Sequence, residues 1–249
     1  MPRARTYRVR AIVLRKTKLG EQDLILTLLS ESGAQLRVVG KGARKPGGRL
    51  AARCELFCDV DLLVAHGRSL DVVAECSLVE PHLDIRADID RVSAASCLCE
   101  VAELTSFEDS EDPFLFPILS RALDAVGESP DRETLDVVVA AYVFKALAHG
   151  GWMPVVDSCV LCGDASPTRF SAAMGGAVCE SCSRDVEGAE PVSRGELDWI
   201  RALVSSTFDT LVASSPDGGT ASFLLSSAHV WAATHLDCRL RAMEYLLSV

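Results

Sequence analysis

A chain of 249 residues that is 49% hydrophobic and 24% charged is long enough to bury a sizeable core without disulfide staples. Its formal net charge of −10 argues against nucleic-acid binding over the whole surface, and no stretch reads as a signal peptide or a membrane span. We therefore expect a cytoplasmic protein.

The charge is unevenly distributed along the chain. Residues 1–80 hold 14 basic and 9 acidic side chains, whereas residues 81–249 hold 11 and 26. Such asymmetry indicates a cationic module joined to an acidic body. We expect the cations to be gathered on this module, where they can meet phosphates that the acidic part repels.

The first 80 residues predict short β-strands. Tyr7, Val9, Ala11 and Val13 share one face of an extended segment, and the other face begins with arginines and becomes apolar. Four further apolar runs have strand length, at residues 24–29, 36–39, 56–65 and 70–80. Five short strands with glycine turns predict an OB-fold β-barrel, which we assign to residues 1–80.

From Pro81 onward the pattern becomes helical. Helical spacing covers residues 89–105, 114–126 and 134–149, Ser193 and Glu196 suggest a capping box, and a last helix is predicted from Ala221 to Leu247. We predict an all-α domain over residues 81–249 with a cysteine-bearing insert at 157–187. The fold class is therefore a multi-domain α+β protein.

Four cysteines in two pairs form the strongest chemical motif. Two residues separate Cys159 from Cys162, 16 residues follow, and Cys179 and Cys182 repeat the spacing. This spacing lets each pair reach one tetrahedral ion, and the connecting segment can form a hairpin. We predict one structural zinc ion in a zinc-finger insert, because four thiolates leave no open position for catalytic water. Four free or redox-active thiols are the alternative.

The remaining cysteines lie among apolar neighbours, and we expect them to be small core residues. They are Cys54, Cys58, Cys76, Cys97, Cys99 and Cys238.

A glycine-rich basic loop over residues 40–49 is the second motif. Glycines let the backbone approach a phosphate, and cations neutralise it. We predict a DNA-binding patch made of Arg8, Arg10, Arg15, Lys16, Arg37, Lys41, Arg44, Lys45 and Arg49, with Lys18 widening it. A solvated loop is the alternative. Tyr7 and Phe57 are the only aromatic residues of the region, so we expect sequence-tolerant backbone contacts rather than base stacking.

Motifs of catalysis are missing from the sequence. It has no nucleophile elbow, no paired carboxylates and no dinucleotide or Walker fingerprint. The five histidines show no ligand spacing, residues 108–112 are interpreted as a solvated acidic loop, and the three tryptophans are mainly core candidates. We therefore predict that the protein is not an enzyme.

Several segments resemble one family when they are taken in order. They are Tyr7–Arg15, Gly20–Leu28, Gly40–Lys45, Gly150–Pro154 and the two cysteine pairs. This order is similar to that of the DNA repair protein RecO family and covers about residues 5 to 245. The sequence departs from the family at Gly47-Gly48, where a Lys-Ser pair is common.

The resemblance implies a recombination mediator in the cytoplasm, associated with the nucleoid. RecO-like proteins bind single- and double-stranded DNA through the OB domain and anneal complementary strands. With RecR, they load RecA on DNA coated by single-stranded-DNA-binding protein (SSB). The acidic C-terminal tail of SSB usually docks on the helical domain, where Arg121, Arg132 and Lys145 are candidate anchors.

Two hypotheses that assign the protein to other functional classes stay open. One is a zinc-ribbon scaffold for protein contacts that does not bind DNA directly. The other is a thiol redox sensor that uses the paired cysteines.

Overall fold

Five strands form the first part of the chain: β1 Thr6–Leu19, β2 Asp23–Ser30, β3 Gln35–Gly40, β4 Asp59–Ala65 and β5 Asp71–Glu80. In the computed structural model, which describes residues 6–45, 49–214 and 216–248, they close into a barrel in the order β1-β2-β3-β5-β4. Neighbouring strands are antiparallel except for β3 and β5, which are parallel. The barrel is OB-like, which confirms the predicted fold class.

The alternation of side chains in β1 separates the inside of the barrel from its outside. Ala11 and Val13 belong to the barrel core, and Tyr7 and Val9 pack against it. The apolar residues of the opposite face, such as Ile12, are buried as well. The second half of β1 therefore needs a cover on its outer side.

Residues 99–124 supply that cover. They include the end of α3 (Ile89–Thr105) and most of α4 (Leu115–Glu128). The side-chain amide of Gln35 in β3 donates to the carbonyls of Glu103 at 2.9 Å and Ser106 at 3.2 Å, and its backbone N–H donates to Phe107 at 3.0 Å. These bonds fasten the segment to the barrel and satisfy polar groups that water no longer reaches.

The chain divides into two compact units. One comprises Met1–Asp88 with Cys99–Asp124, and the other comprises Ile89–Leu98 with Ala125–Val249. β5 ends at Glu80, and the short helix α2 (Leu83–Arg86) follows within the first unit. The first unit therefore contains the barrel and also helical sequence from beyond it.

The second unit is built around α5 (Arg132–His149), whose residues 134–144 are all buried. A helix that is apolar on every side is enclosed by its neighbours. One neighbour is α8 (Gly218–Leu236), where the buried Trp231 ring lies 5.7 Å from the Phe144 ring, centroid to centroid. The remaining helices of this part of the chain are α6 Arg194–Ser205, α7 Phe208–Val212 and α9 Arg241–Ser248.

The predicted final helix over residues 221–247 is wrong as a single element. α8 ends at Leu236, Asp237 adopts a left-handed conformation with φ of 48°, and α9 starts afresh at Arg241. The break resets the helical register, so Leu246 is buried while Leu247 is 37% exposed. The capping box of Ser193 and Glu196 is confirmed at the start of α6.

The glycine-rich loop ends in an unpredicted short helix, α1 (Arg49–Arg53). Glu108 to Glu111 are exposed between α3 and α4, as expected of a solvated loop. Within the described residues, every helix is too short or too polar to cross a membrane.

Candidate metal centre and nucleic-acid interface

The four paired cysteines meet at one point in the second unit. The sulfur atoms of Cys159, Cys162, Cys179 and Cys182 all lie within 4.8 Å of one another, and those of Cys162 and Cys179 are 3.7 Å apart. Sulfurs bound at about 2.3 Å to a tetrahedral zinc ion are separated by about 3.8 Å. The cluster therefore has the size of a four-thiolate site and could hold a metal ion.

Each cysteine pair lies in a turn closed by the same kind of hydrogen bond. The N–H of Gly163 donates to the carbonyl of Cys159, and the N–H of Ser183 donates to the carbonyl of Cys179, both at 2.9 Å. Gly163 has a φ of 79°, which glycine adopts without strain. The two turns therefore present their sulfurs in equivalent ways.

A short hairpin joins the two turns. β6 (Arg169–Ser171) and β7 (Gly176–Val178) are antiparallel, and β8 (Glu190–Pro191) pairs with the other edge of β6. This agrees with the hairpin that the 16-residue spacing predicts. A hairpin this small buries little apolar surface, so the cluster has to supply much of its stability.

Hydrogen bonds within the cluster also change the pKa values of the thiols. Burial raises the pKa of Cys159, but hydrogen bonds from the N–H groups of Cys179, Leu161 and Cys162 outweigh burial and lower it to about 6. Hydrogen bonds with Cys162 and Cys179 raise the pKa of Cys182 to about 12. Adjacent thiolates repel one another, so a divalent cation is what would allow all four to ionise together.

Gly176 is required by a close approach of two backbones. A Cβ atom at this position would lie 2.1 Å from the carbonyl oxygen of Val155. We expect Gly176→Ala to lower the free energy of unfolding by about 2–4 kcal/mol, because backbone has to move. Gly127→Ala in α4 is the control, since its Cβ would meet nothing within 4 Å, and it should stabilise by about 0.5–1 kcal/mol. Urea unfolding measures both, and equal effects would contradict the assignment.

Three of the predicted DNA-binding cations are paired with carboxylates inside the first unit. The pairs are Arg10 with Asp59 at 2.7 Å, Arg15 with Glu103 at 2.6 Å and Lys16 with Glu55 at 2.7 Å. A compensated charge attracts a phosphate less strongly than an uncompensated one does. These three residues are therefore weaker candidates than the sequence indicates.

Residues 41–45, the described part of the basic loop before α1, differ from the strand cations. Lys41, Arg44 and Lys45 are exposed, and no carboxylate pairs with them in the described part of the chain. Arg44 donates to the neutral carbonyls of Gly20 at 3.3 Å and Glu21 at 2.9 Å. Its side chain is thus positioned on the β1–β2 turn while its charge is kept.

Strand register shows which cations lie near the basic loop. Lys18 pairs with Leu24, and Leu24 pairs with Gly40, so Lys18 lies at the same end of the barrel as the loop. Arg8 comes ten residues earlier in β1, where it pairs with Leu63 of β4. Arg8 and Lys18 therefore lie towards opposite ends of this strand.

Arg37 and Arg49 occupy other positions. Arg37 is exposed on β3, where it pairs with Thr27, whose other neighbour is Arg15. Arg49 opens α1, but its side chain lies outside the described residues, as do Gly47 and Gly48.

The aromatic residues of the barrel are both engaged. Phe57 is 2% exposed, and the hydroxyl of Tyr7 donates to Asp71 at 2.9 Å while its ring lies 5.2 Å from that of His66. Burial and the bond to Asp71 raise the pKa of Tyr7 to about 12. The Phe57 ring is therefore buried in the barrel, and the Tyr7 ring is held by its contacts with Asp71 and His66.

Two tryptophans and one histidine of the second unit pack against one another. His235 lies between Trp152 and Trp231, at centroid distances of 5.9 and 4.3 Å. Trp231 is a core residue as predicted, whereas Trp152 is 39% exposed. Burial lowers the pKa of His235, which keeps the packed ring neutral at pH 7.

Two candidate anchors for an acidic tail are occupied by internal contacts. Lys145 donates to the carbonyls of Val204 at 2.8 Å and Ser206 at 2.5 Å, at the end of α6, and burial lowers its pKa. Arg132 bonds Asp136 at 2.8 Å. Both cations stabilise the second unit from within.

Lys145→Met removes two charge-assisted hydrogen bonds to the carbonyls of Val204 and Ser206, at the C-terminal end of α6. We expect the free energy of unfolding to fall by about 2 kcal/mol. Arg121→Met is the control, because its side chain is 59% exposed and the change should stay within about 0.5 kcal/mol. Chemical denaturation measures both variants, and an unchanged midpoint for Lys145→Met would show that the bonds to α6 are unimportant.

Family models match both parts of this chain. The model described as recombination protein O N terminal matches residues 3–82, and the one described as recombination protein O C terminal matches residues 86–227. The chain belongs to the recombination protein O family. Membership gives it a role in DNA repair and recombination.

Curated relatives agree with the family models. The DNA repair proteins RecO of Bifidobacterium longum strains DJO10A and NCC 2705 are each 38% identical to this chain over 177 residues. The match covers 70% of this chain and 73% of each relative. Both matching models describe a recombination protein rather than a catalytic family.

Proposed function

We propose that this member of the RecO family is a recombination mediator that binds DNA and carries out no catalytic step. It binds single- and double-stranded DNA through the barrel unit and anneals complementary strands. With RecR, it helps to load RecA on DNA coated by SSB, which places its action at the nucleoid in the cytoplasm.

The observation that carries the proposal is the basic loop on an OB-like barrel. Lys41, Arg44 and Lys45 are exposed, are not compensated by carboxylates in the described part of the chain, and lie beside the β1–β2 turn. OB-type barrels bind oligonucleotides on the β2–β3 face and the adjoining loops. The position of the loop on the fold thus supports DNA binding.

Annealing follows from electrostatics. Two DNA strands repel each other through their phosphates, and cations bound along one strand displace counterions and lower that repulsion. Because Tyr7 and Phe57 are engaged in the barrel, the contacts fall on the backbone rather than on the bases. Binding is therefore tolerant of sequence, as a mediator of strand pairing requires.

We propose that the metal is one zinc ion held by Cys159, Cys162, Cys179 and Cys182. Four thiolates in a tetrahedron of this size suit a borderline-soft, redox-inactive ion. When bound, zinc would crosslink the two turns and leave no position for water. The role of the cysteines is then to hold the hairpin of β6 and β7 in place.

RecR and the C-terminal tail of SSB are the proposed protein partners. Arg121 is the most accessible of the three candidate anchors, with 59% of its side chain exposed beside Asp124. An acidic tail would compete with Asp124 for this guanidinium, so the contact should weaken as salt is raised.

Strand annealing of naked and SSB-coated oligonucleotides tests the proposed function. We expect the protein to accelerate pairing of both substrates, and to retain this effect when SSB is present. A protein that leaves both rates unchanged and binds no DNA at low salt would instead fit a zinc-ribbon scaffold for protein contacts.

A further inference from the structure

Two cysteines of the barrel lie close enough to react with each other. Cys54 follows α1 and Cys76 lies in β5, and their sulfur atoms are 3.3 Å apart. They are 1% and 5% exposed. Both belong to the first unit, so they are separate from the four-cysteine cluster.

A pocket lies beside one of the two cysteines. The pocket has a volume of about 440 Å³ and is lined in part by Cys76, Lys41 and Arg53. Arg53 also donates to the carbonyl of Cys76 at 2.8 Å. Small oxidants can enter a space of this size, and the charge of Arg53 favours a thiolate at Cys76.

The hydrogen bond between the thiols makes them unequal. Cys54 donates to Cys76, and this bond, with the nearby charge of Arg53, lowers the pKa of Cys76 despite its burial. The same bond and burial raise the pKa of Cys54. The thiolate is the nucleophile in thiol oxidation, so the residue on the pocket wall is also the more reactive one.

We propose that Cys54 and Cys76 form a peroxide-sensitive pair that closes reversibly into a disulfide. The Cys76 thiolate attacks hydrogen peroxide, the O–O bond breaks, and Cys76 becomes a sulfenic acid as hydroxide leaves and takes up the displaced proton to form water. The Cys54 thiol then attacks that sulfur, and a second water leaves with the Cys54 proton. Two thiols and one peroxide give one disulfide and two waters.

The disulfide needs only a small movement of the chain. The sulfurs have to approach from 3.3 Å to about 2.05 Å. Cys54 directly follows α1, which ends the glycine-rich segment, so the bond would fix that segment to β5. Lys41 and Arg53 line the same pocket, and the modification therefore lies next to the proposed DNA-binding surface.

Peptide mapping of the oxidised protein tests the pair. The full-length, metal-loaded protein is treated with hydrogen peroxide, quenched in acid, alkylated and digested without reductant. We expect a Cys54–Cys76 linked peptide, with the loss of two hydrogen atoms, that dithiothreitol abolishes. The crosslinked chain should also melt on the order of 10 °C higher than the reduced chain.

Single variants assign the two roles. Cys54→Ser keeps a hydroxyl donor beside Cys76 but cannot form a disulfide, so it should trap Cys76 as a sulfenic acid that dimedone labels, whereas Cys76→Ala should leave Cys54 unoxidised. Cys58→Ala is the matched control from the same core and should still form the crosslink. Circular dichroism shows that each variant is folded.

Two outcomes would overturn the inference. One is recovery of Cys54 and Cys76 as alkylated free thiols after peroxide has oxidised Cys238, a partly exposed cysteine outside the metal cluster. The other is a linkage that joins Cys58 in place of Cys54. Because the mapping involves no DNA, it can fail while the proposed DNA-binding function stands.

Discussion

Replacement of Cys159 by serine is expected to release the metal and to destabilise the second unit by several kcal/mol. A structural zinc ion contributes on the order of 10 kcal/mol to the segment that binds it, and a hydroxyl is a poor substitute for a thiolate. Cys159 is 2% exposed, so the serine would also bury a polar group. The hairpin of β6 and β7 should lose its protection from proteolysis.

Metal content and thermal unfolding measure this effect. The parent protein should contain one zinc ion per chain, and Cys159→Ser much less than one. Cys238→Ser is the matched control, because Cys238 belongs to the same unit but not to the cluster, and it should keep a full complement of zinc. A Cys159→Ser variant with full metal content would show that the cluster does not hold the ion.

The variant also separates structure from DNA binding. The basic loop lies in the first unit and the cysteine cluster in the second, so loss of metal should change the solubility of the protein more than its intrinsic DNA affinity. If the folded fraction of Cys159→Ser binds DNA far more weakly than the parent, the cysteine-bearing segment takes part in DNA binding.

Local patterns determined much of the fold. Period-two alternation from Tyr7 to Val13 predicted the inner face of β1, because successive side chains of a strand point alternately into and out of a barrel. The spacing of the cysteine pairs predicted the turns and the hairpin, because four cysteines that bind one ion have to be brought together. The capping box of Ser193 and Glu196 gave the start of α6.

Long-range pairing was harder to predict. Arg10 and Arg15 looked like surface cations, yet Asp59 and Glu103 compensate them. These carboxylates lie 49 and 88 positions further along the chain, and no local pattern links them to the arginines. One feature of the sequence did indicate this cover. Ile12 lies on the same face of β1 as Arg10 and is apolar. An apolar residue on the outer face of a barrel strand implies that another segment packs over it, and residues 99–124 provide that segment.

The break between α8 and α9 shows a second limit. Leu236, Leu240 and Met243 continue a helical spacing through the sequence, but Asp237 turns left-handed and the register restarts. Periodicity cannot reveal a break when the residues on both sides stay apolar at helical intervals. The start of α1 was missed for a different reason, since glycines and cations before it favour an irregular loop.

Alanine at Lys41, Arg44 and Lys45 together is expected to cause the largest loss of DNA affinity. Each phosphate contact contributes about 0.9 to the slope of log affinity against log salt, so three contacts account for about 2.7. Lowering the salt concentration from 1 M to 0.1 M should therefore raise the DNA affinity roughly 500-fold through these three contacts. The triple variant should lose most of that factor at low salt and show a correspondingly shallower slope.

Fluorescence anisotropy with a single-stranded oligonucleotide at several salt concentrations measures both quantities. The charge-matched control is alanine at Arg184, Arg194 and Arg239, which are exposed cations of the second unit. Both variants lower the net charge by the same amount, so only a local effect of the loop can separate them. Equal slopes for the two would refute the assignment of the loop, even if both bind more weakly than the parent.

Single substitutions then resolve the loop further. Arg44 is held by the carbonyls of Gly20 and Glu21, so Arg44→Lys keeps the charge but loses the fixed fork of N–H donors. If Arg44 positions the loop, this change weakens binding with little effect on the salt slope, because the number of neutralised phosphates is the same. Lys41→Arg keeps the charge at a position with no such anchor and should bind like the parent. A flattened slope for Arg44→Lys would mean that its charge acts only when the guanidinium is held on the β1–β2 turn.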